Sequence, residues 1–271
     1  MGAGAVGKSL IGRLAARGIA LGPVSAVSYR VASRIANGLN GGTAVREASE
    51  LSAAAVVLFH AQPEQMPATV ELLAEAKISW PGRTLLFCDC EVTPAMIHQF
   101  RQEGASVAVA REFGLSGRVL LEGSGRGLLQ AHRVAKEAQL KAVEILPGAS
   151  ERFDAAVTLS TCGITPLIDK ATALLRSAGV RELDAPRLAA ALIAQTADAY
   201  AHSGKQSWGW YARVPEVPRI LAEADAARAD APEMPEMFPF LLLFGLELFD
   251  KHPELAIALR RRMAAPAPSG K

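Results

Sequence analysis

An α/β fold, with a doubly wound and mainly parallel sheet followed by an all-helical region, is predicted by three features of the 271-residue sequence. Short apolar runs alternate with amphipathic helical segments up to about residue 146, the strand signals stop at Glu151, and glycines open the chain in a phosphate-binding pattern. Repeated alternation of this kind sets parallel strands side by side with helices over both faces. The composition agrees: 50% of the residues are hydrophobic and 21% charged, the profile of a globular chain that buries a sizeable core.

The first helix is SLIGRLAARG, with Leu10, Ile11, Leu14 and Ala15 on one face and Gly18 as its stop. Strands are expected at VSAVS (24–28), AAVVLF (54–59), RTLLFC (83–88), SVAVA (106–110), RVLLEG (118–123) and AVEIL (142–146). Helices are expected between most of them, including PEQMPATVELLAEA from Pro63 and TPAMIHQFRQEG from Thr93. From Glu151 a very long helix runs to Gly179 with a kink at Pro166. A second helix has Asp184 as N-cap, Pro186 in its first turn and Gly204 as its stop. Two more helices are expected near 214–229 and 236–262. The expected organisation is a nucleotide-binding domain over 1–148, a helical substrate and dimerisation domain over 149–263, and a disordered, low-complexity tail over 264–271.

The opening MGAGAVGKSL fits two phosphate-binding patterns at once. Gly2, Gly7, Lys8 and Ser9 fit the P-loop, whereas Gly2, Gly4 and Gly7, with Ala5 and Val6 inside the turn, fit G-x-G-x-x-G. Both patterns use glycine to bring backbone N–H groups and a helix N-terminus close to an anion. A P-loop enzyme also needs an acidic residue at a strand end, which LLFCD ending at Asp89 could supply, but the guanine-reading N-K-x-D is absent.

The dinucleotide pattern collects more. About twenty residues beyond the glycines, where the adenosine ribose is read, stand Ser28, Tyr29 and Arg30, with Ser33 at the start of the next helix. Hydroxyls and an arginine in place of a carboxylate suit a 2′-phosphate, so the expected cofactor is NADP(H) in a Rossmann-like domain. His60 ends the strand corresponding to the fourth of a complete nucleotide domain, and His60, Ala61 and Gln62 are expected to pass the nicotinamide ribose. A strand should lead directly into the glycines, yet only Met1 precedes Gly2. The first strand thus reads as truncated, with the native start expected upstream and roughly five apolar residues leading from it into Gly2.

DAAVTLSTCGITPLIDKATALLRSAGV, from Asp154, resembles the pyrroline-5-carboxylate reductase segment D-A-V-T-A-L-S-G-S-G-P-A-Y, through Asp154, Leu159, Ser160, Gly163 and Ala178-Gly179. IAQT at 193–196 is similar to that family's A-A-Q-T. The wider superfamily includes 6-phosphogluconate dehydrogenase-like proteins. QFRQEGASVAVAREF, from Gln99, is similar to a Rossmann-like branch whose second domain has no assigned function, with Arg111 and Glu112 where that branch has His and Pro. The resemblance implies an N-terminal NADP domain, a dimer-forming helical domain and a small imine, oxo-acid or hydroxy-acid substrate held between them. The reductase loop S-P-G-G-T-T is replaced here by SWGWYARVPEVP, so the resemblance does not extend to that substrate-carboxylate site.

Thr158, Thr161, Thr165, Asp169 and Thr172 fall on one narrow face of the expected long helix, which suits a cleft lining or threonines bonded to their own carbonyls. Hydride transfer to C=O or C=N needs a proton for the product heteroatom, and Thr161, Thr165, Asp169 and Lys170 are the candidates. Trp208, Trp210, Tyr211 and Arg213 could close over a substrate or anchor a dimer contact. The net charge of +2 gives no broad basic field for nucleic acid. No metal site is expected from Cys88 and Cys90, which lack a completing ligand set. Phe238–Phe249 is too short to span a bilayer. Three cysteines, an odd count, point to the cytoplasm. The rival expectations are a non-catalytic nucleotide-binding scaffold and a P-loop NTPase using Gly2–Ser9.

Overall fold

In the computed structural model, residues 10–113, 117–207, 217–230, 237–249 and 252–264 are described. They form two compact units divided between Ala155 and Ala156. Each is a separate body of packed elements.

The first unit begins with helix α1 (Leu10–Ala16), whose Leu10 and Leu14 are buried, and Gly18 ends its last turn at φ 73°. Strand β1 (Pro23–Val24), helix α2 (Tyr29–Leu39) and strand β2 (Thr43–Ala44) make a small βαβ unit with β1 parallel to β2. The expected strand over 24–28 is therefore cut short. Ser28 takes extended backbone at the α2 N-cap and accepts a hydrogen bond from Val31 N–H, so the residues after Val24 serve the helix.

A five-stranded sheet follows, in the order β3 (Val56–Phe59), β4 (Thr84–Cys88), β5 (Ser106–Glu112), β6 (Arg118–Gly123) and β7 (Lys141–Ile145). β3, β4 and β5 run parallel, joined through α3 (Met66–Glu75) and α4 (Pro94–Gln102). β6 turns back antiparallel to β5, since the short connection between Glu112 and Arg118 cannot carry a crossover, and β7 is parallel to β6. α5 (Gly125–Glu137) connects those last two strands.

Strand alternation divides the core into two layers. Val57, Phe59, Leu85, Phe87 and Val107 face α3 and α4, where Trp80 and Phe100 complete an aromatic stack. Leu86, Cys88, Ala108, Ala110, Val119 and Leu121 face α1 and α5 on the other side. The small residues Ala131 and Ala135 let α5 lie close, and a Cβ on Gly127 would stand 2.7 Å from the Val107 carbonyl oxygen. Helices on both faces of a mainly parallel sheet make this the doubly wound α/β architecture that the sequence predicts.

Beyond β7 the described chain is helical. The expected long helix is two: α6 (Ser150–Thr161) and α7 (Ile164–Ser177), broken at Cys162-Gly163. The kink expected at Pro166 is absent because Pro166 sits in the first turn of α7, where its missing N–H has no partner to lose. α8 (Ala185–Ser203) starts after Asp184, whose carboxylate pairs with Arg181 instead of capping the helix, and ends at Gly204. α9 (Val217–Asp230), α10 (Met237–Leu248) and α11 (Pro253–Ala264) follow. The single helix expected over 236–262 is thus interrupted before Pro253, and Ile220, Leu242, Leu246, Leu255 and Leu259 pack into a cluster of their own. The tail from Ala265 lies outside the described residues.

Candidate functional site

The carboxyl edge of β3, β4 and β5 carries a dense set of polar contacts. Asp89 follows the last residue of β4 in the left-handed region, at φ 49°. Its Oδ1 accepts the Glu112 N–H at 2.7 Å and its Oδ2 accepts the Leu10 N–H at 3.3 Å. Arg13, one turn along α1, donates to both Glu112 carboxylate oxygens at 2.7 and 3.0 Å, and this hydrogen bonding holds its pKa above the ordinary arginine value. Asp89 and Glu112 together fasten the start of α1 to the ends of β4 and β5. Both Asp89 oxygens serve backbone N–H groups, a structural use that competes with the metal-holding role a P-loop enzyme would ask of it.

His60 stands beside this node, half-buried, and its Nδ1 donates to the Cys88 carbonyl at 2.8 Å. Because a carbonyl can only accept, that contact fixes the proton on Nδ1 and leaves Nε2 as the acceptor of the neutral ring. Ala61 is buried and offers a ligand only its backbone, while Gln62 is exposed at the start of a 3-10 turn, Pro63–Gln65. Burial pushes the Cys88 thiol well up and the Cys90 thiol up to about 12, so neither serves as a nucleophile near neutral pH.

A second cluster surrounds the N-terminus of α2. Tyr29 and Arg30 occupy its first turn and are exposed, Ser33 is half-buried, and Arg34 is exposed one turn on. The Arg46 guanidinium, arriving from beyond β2, lies 4.7 Å over the Tyr29 ring. The structure therefore sets Ser28, Tyr29 and Arg30 at a helix N-terminus with Arg46 over Tyr29 and Arg34 one turn further along, an arrangement suited to an anion. The sequence reading missed Arg34 and Arg46; three arginines within one βαβ unit are the signal that could have found them.

Gly2, Gly4, Ala5, Val6 and Gly7 lie outside the described residues, as do Lys8 and Ser9 and the aromatic stretch holding Trp208, Trp210, Tyr211 and Arg213.

In the helical unit the expected threonine face is divided by the Cys162-Gly163 break, with Thr158 and Thr161 on α6 and Thr165, Asp169 and Thr172 on α7. Gly163 has a reason to be glycine: a Cβ there would stand 2.5 Å from the Leu159 carbonyl oxygen. Thr161 donates to the Val157 carbonyl at 2.7 Å, Thr165 to Thr161 at 3.0 Å and Thr172 to Ile168 at 2.7 Å. These hydroxyl protons are spent on the helices' own carbonyls, leaving oxygen lone pairs to accept. Asp169 is exposed and Lys170 half-buried.

No family model matches the sequence, and neither does any curated protein. Solved structures do resemble it. A Bacteroides fragilis protein assigned as an NADP oxidoreductase shares 12% identity over 90% of this chain and 93% of its own, with a TM-score of 0.66. An imine reductase from Aspergillus terreus in complex with NADPH4 shares 17% over 97% and 91%, with a TM-score of 0.63. A reductive aminase from the same organism, in complex with NADPH and ethyl levulinate, shares 16% over 94% and 89%, with a TM-score of 0.57. At these identities the likeness establishes the fold: a Rossmann-type N-terminal region followed by helices.

Proposed function

We propose that this chain is an NADP(H)-dependent oxidoreductase that moves a hydride between the nicotinamide and a small imine, oxo acid or hydroxy acid. The observation that carries the reading is the α2 N-terminus, where Ser28 caps the helix, Tyr29 and Arg30 fill its first turn and Arg46 lies over the Tyr29 ring. A hydroxyl, helix N–H groups and arginine forks are the donors that a ribose 2′-phosphate accepts from. The likeness to proteins crystallised with NADPH supports the same cofactor.

In this reading Gly2, Gly4, Ala5, Val6 and Gly7 hold the pyrophosphate, and Ser28, Tyr29, Arg30 and Ser33 hold the adenosine end. His60, the Ala61 backbone and Gln62 border the nicotinamide ribose, and the proton on His60 Nδ1 leaves Nε2 to accept from a hydroxyl. NADP(H) supplies the hydride when bound. Asp169 and Lys170 deliver the proton, while the lone pairs of Thr161 and Thr165 orient the substrate. The protein works in the cytoplasm, a setting supported by its free cysteines, Cys88, Cys90 and Cys162. It pairs as a homodimer through its helical unit, supported by exposed Leu188, Leu192, Phe240 and Phe244. Among the described residues no helix is long and apolar enough to cross a membrane.

NADPH oxidation followed against a panel of cyclic imines, amine–ketone mixtures, 2-oxo acids and hydroxy acids tests the reaction. Turnover that depends on one class and falls on Asp169→Asn supports the proposal. Tight cofactor binding with no turnover across the panel supports the scaffold reading, which the carbonyl-bonded threonines favour.

A further inference from the structure

Arg46 and Tyr29 approach each other from different elements of the small βαβ unit. Val45 N–H donates to the Val24 carbonyl at 3.0 Å, which extends the parallel pairing of β1 and β2 to the residue before Arg46. One residue after Arg46, Glu47 N–H donates to the Glu50 carboxylate at 3.3 Å and opens the 3-10 turn Ala48–Ala53. Tyr29 is fixed in turn by α2, which Ser28 caps. Parallel strands end on the same edge, so the α2 N-terminus and Arg46 both stand at the carboxyl edge of this unit, where doubly wound folds take nucleotides.

The contact joins two flat groups. The Arg46 guanidinium carbon lies 4.7 Å from the centre of the Tyr29 ring, so the tyrosine backs one face of the guanidinium. Arg46 is exposed and, among the described residues, pairs with no carboxylate, whereas Arg13 and Arg111 each hold one. Its second face is left to a ligand. Tyr29 is exposed as well, so the pair forms a flat projecting surface and not part of the core. Phosphate is bound by the N–H edge of a guanidinium, but a nucleobase stacks on its face.

We propose that Arg46, backed by Tyr29, is the stacking platform for the adenine base of the cofactor, in a three-layer stack of tyrosine, guanidinium and adenine. The proposal rests on the NADP(H) reading above and separates two roles within it. Ser28 and Arg30 read the 2′-phosphate, while Arg46 holds the base that NADH and NADPH share. Arg46 therefore sets the affinity for both nucleotides and not the choice between them.

Calorimetric titration of the full chain with NADPH and with NADH tests the assignment. Arg46→Ala should weaken both nucleotides by the same factor, on the order of tenfold, and leave their affinity ratio unchanged. Arg46→Trp, flat but uncharged, should recover most of the loss, and Arg46→Lys, charged but not flat, should recover little. Recovery by lysine and not by tryptophan overturns the proposal and makes Arg46 a charge contact. So does a loss confined to NADPH, which would assign Arg46 to the 2′-phosphate. NADPH binding that none of these substitutions alters overturns the platform while the NADP(H) reading stands, whereas no binding of either nucleotide to the unsubstituted chain overturns both.

Discussion

The unit ending at Ala155 buries its large apolar side chains in two layers, whereas the unit beginning at Ala156 leaves many of its own bare. Trp80, Phe87 and Phe100 are all but inaccessible, packed edge to face between sheet and helices. In the helical unit Leu183, Leu188, Leu192, Tyr200, Phe240, Leu241, Phe244 and Leu248 stand exposed, and the cluster formed by its last three helices is small. A sheet flanked on both faces can close a core within one chain; a set of amphipathic helices with apolar residues on more than one side needs another surface. The comparison teaches that the first unit draws its stability from its own packing, whereas the second would draw on association in the proposed dimer.

The sharpest way to break this comparison is a matched pair of truncations. Phe100→Ala should cost about 3–5 kcal/mol in denaturant unfolding, because a fully buried ring is removed. Phe244→Ala should change the stability of an isolated chain by no more than about 0.5 kcal/mol, while sedimentation shows a weakened dimer. If both variants unfold alike, the division into self-packed and association-dependent units is wrong.

Three smaller effects sharpen the account of the first unit. Gly127→Ala should destabilise by about 1–3 kcal/mol, as its Cβ is driven against the Val107 carbonyl. Asp89→Ala leaves the Leu10 and Glu112 N–H groups without their acceptor and should cost about 1–3 kcal/mol, read as a lowered denaturation midpoint. Thr84 has a buried hydroxyl with no hydrogen-bond partner among the described residues, so Thr84→Val should raise stability by up to about 1 kcal/mol.

The thiols give a comparison without a stability measurement. The exposed Cys162 should alkylate readily at about pH 8, while Cys88 and Cys90, with their pKa values raised by burial, stay unmodified until the sheet unfolds. Mass spectrometry counts the modified thiols directly.

The strands from β3 to β7 were legible because period-two alternation and turn residues bracket them. The helix from Thr93 was equally legible, and the structure adds that Thr93 caps it by accepting from Met96 N–H. The break at Gly163 escaped because Pro166 looked like the stronger interruption, although a proline in a first turn disrupts nothing. The extent of β1 escaped because Ser28 can end a strand or cap a helix, and only the backbone conformation decides. The Asp89–Leu10 and Arg13–Glu112 contacts join residues 79 and 99 positions apart, a separation that no local pattern reports. The Arg46–Tyr29 contact was invisible for the same reason.

The central claim, NADP(H) binding read through the α2 N-terminus, is met most directly by titrating the protein with NADPH and with NADH and following nucleotide fluorescence. The account predicts that NADPH binds at least about tenfold more tightly, and that Arg30→Ala removes most of that difference without weakening NADH. Equal affinities for the two nucleotides, or no binding of either, would contradict it.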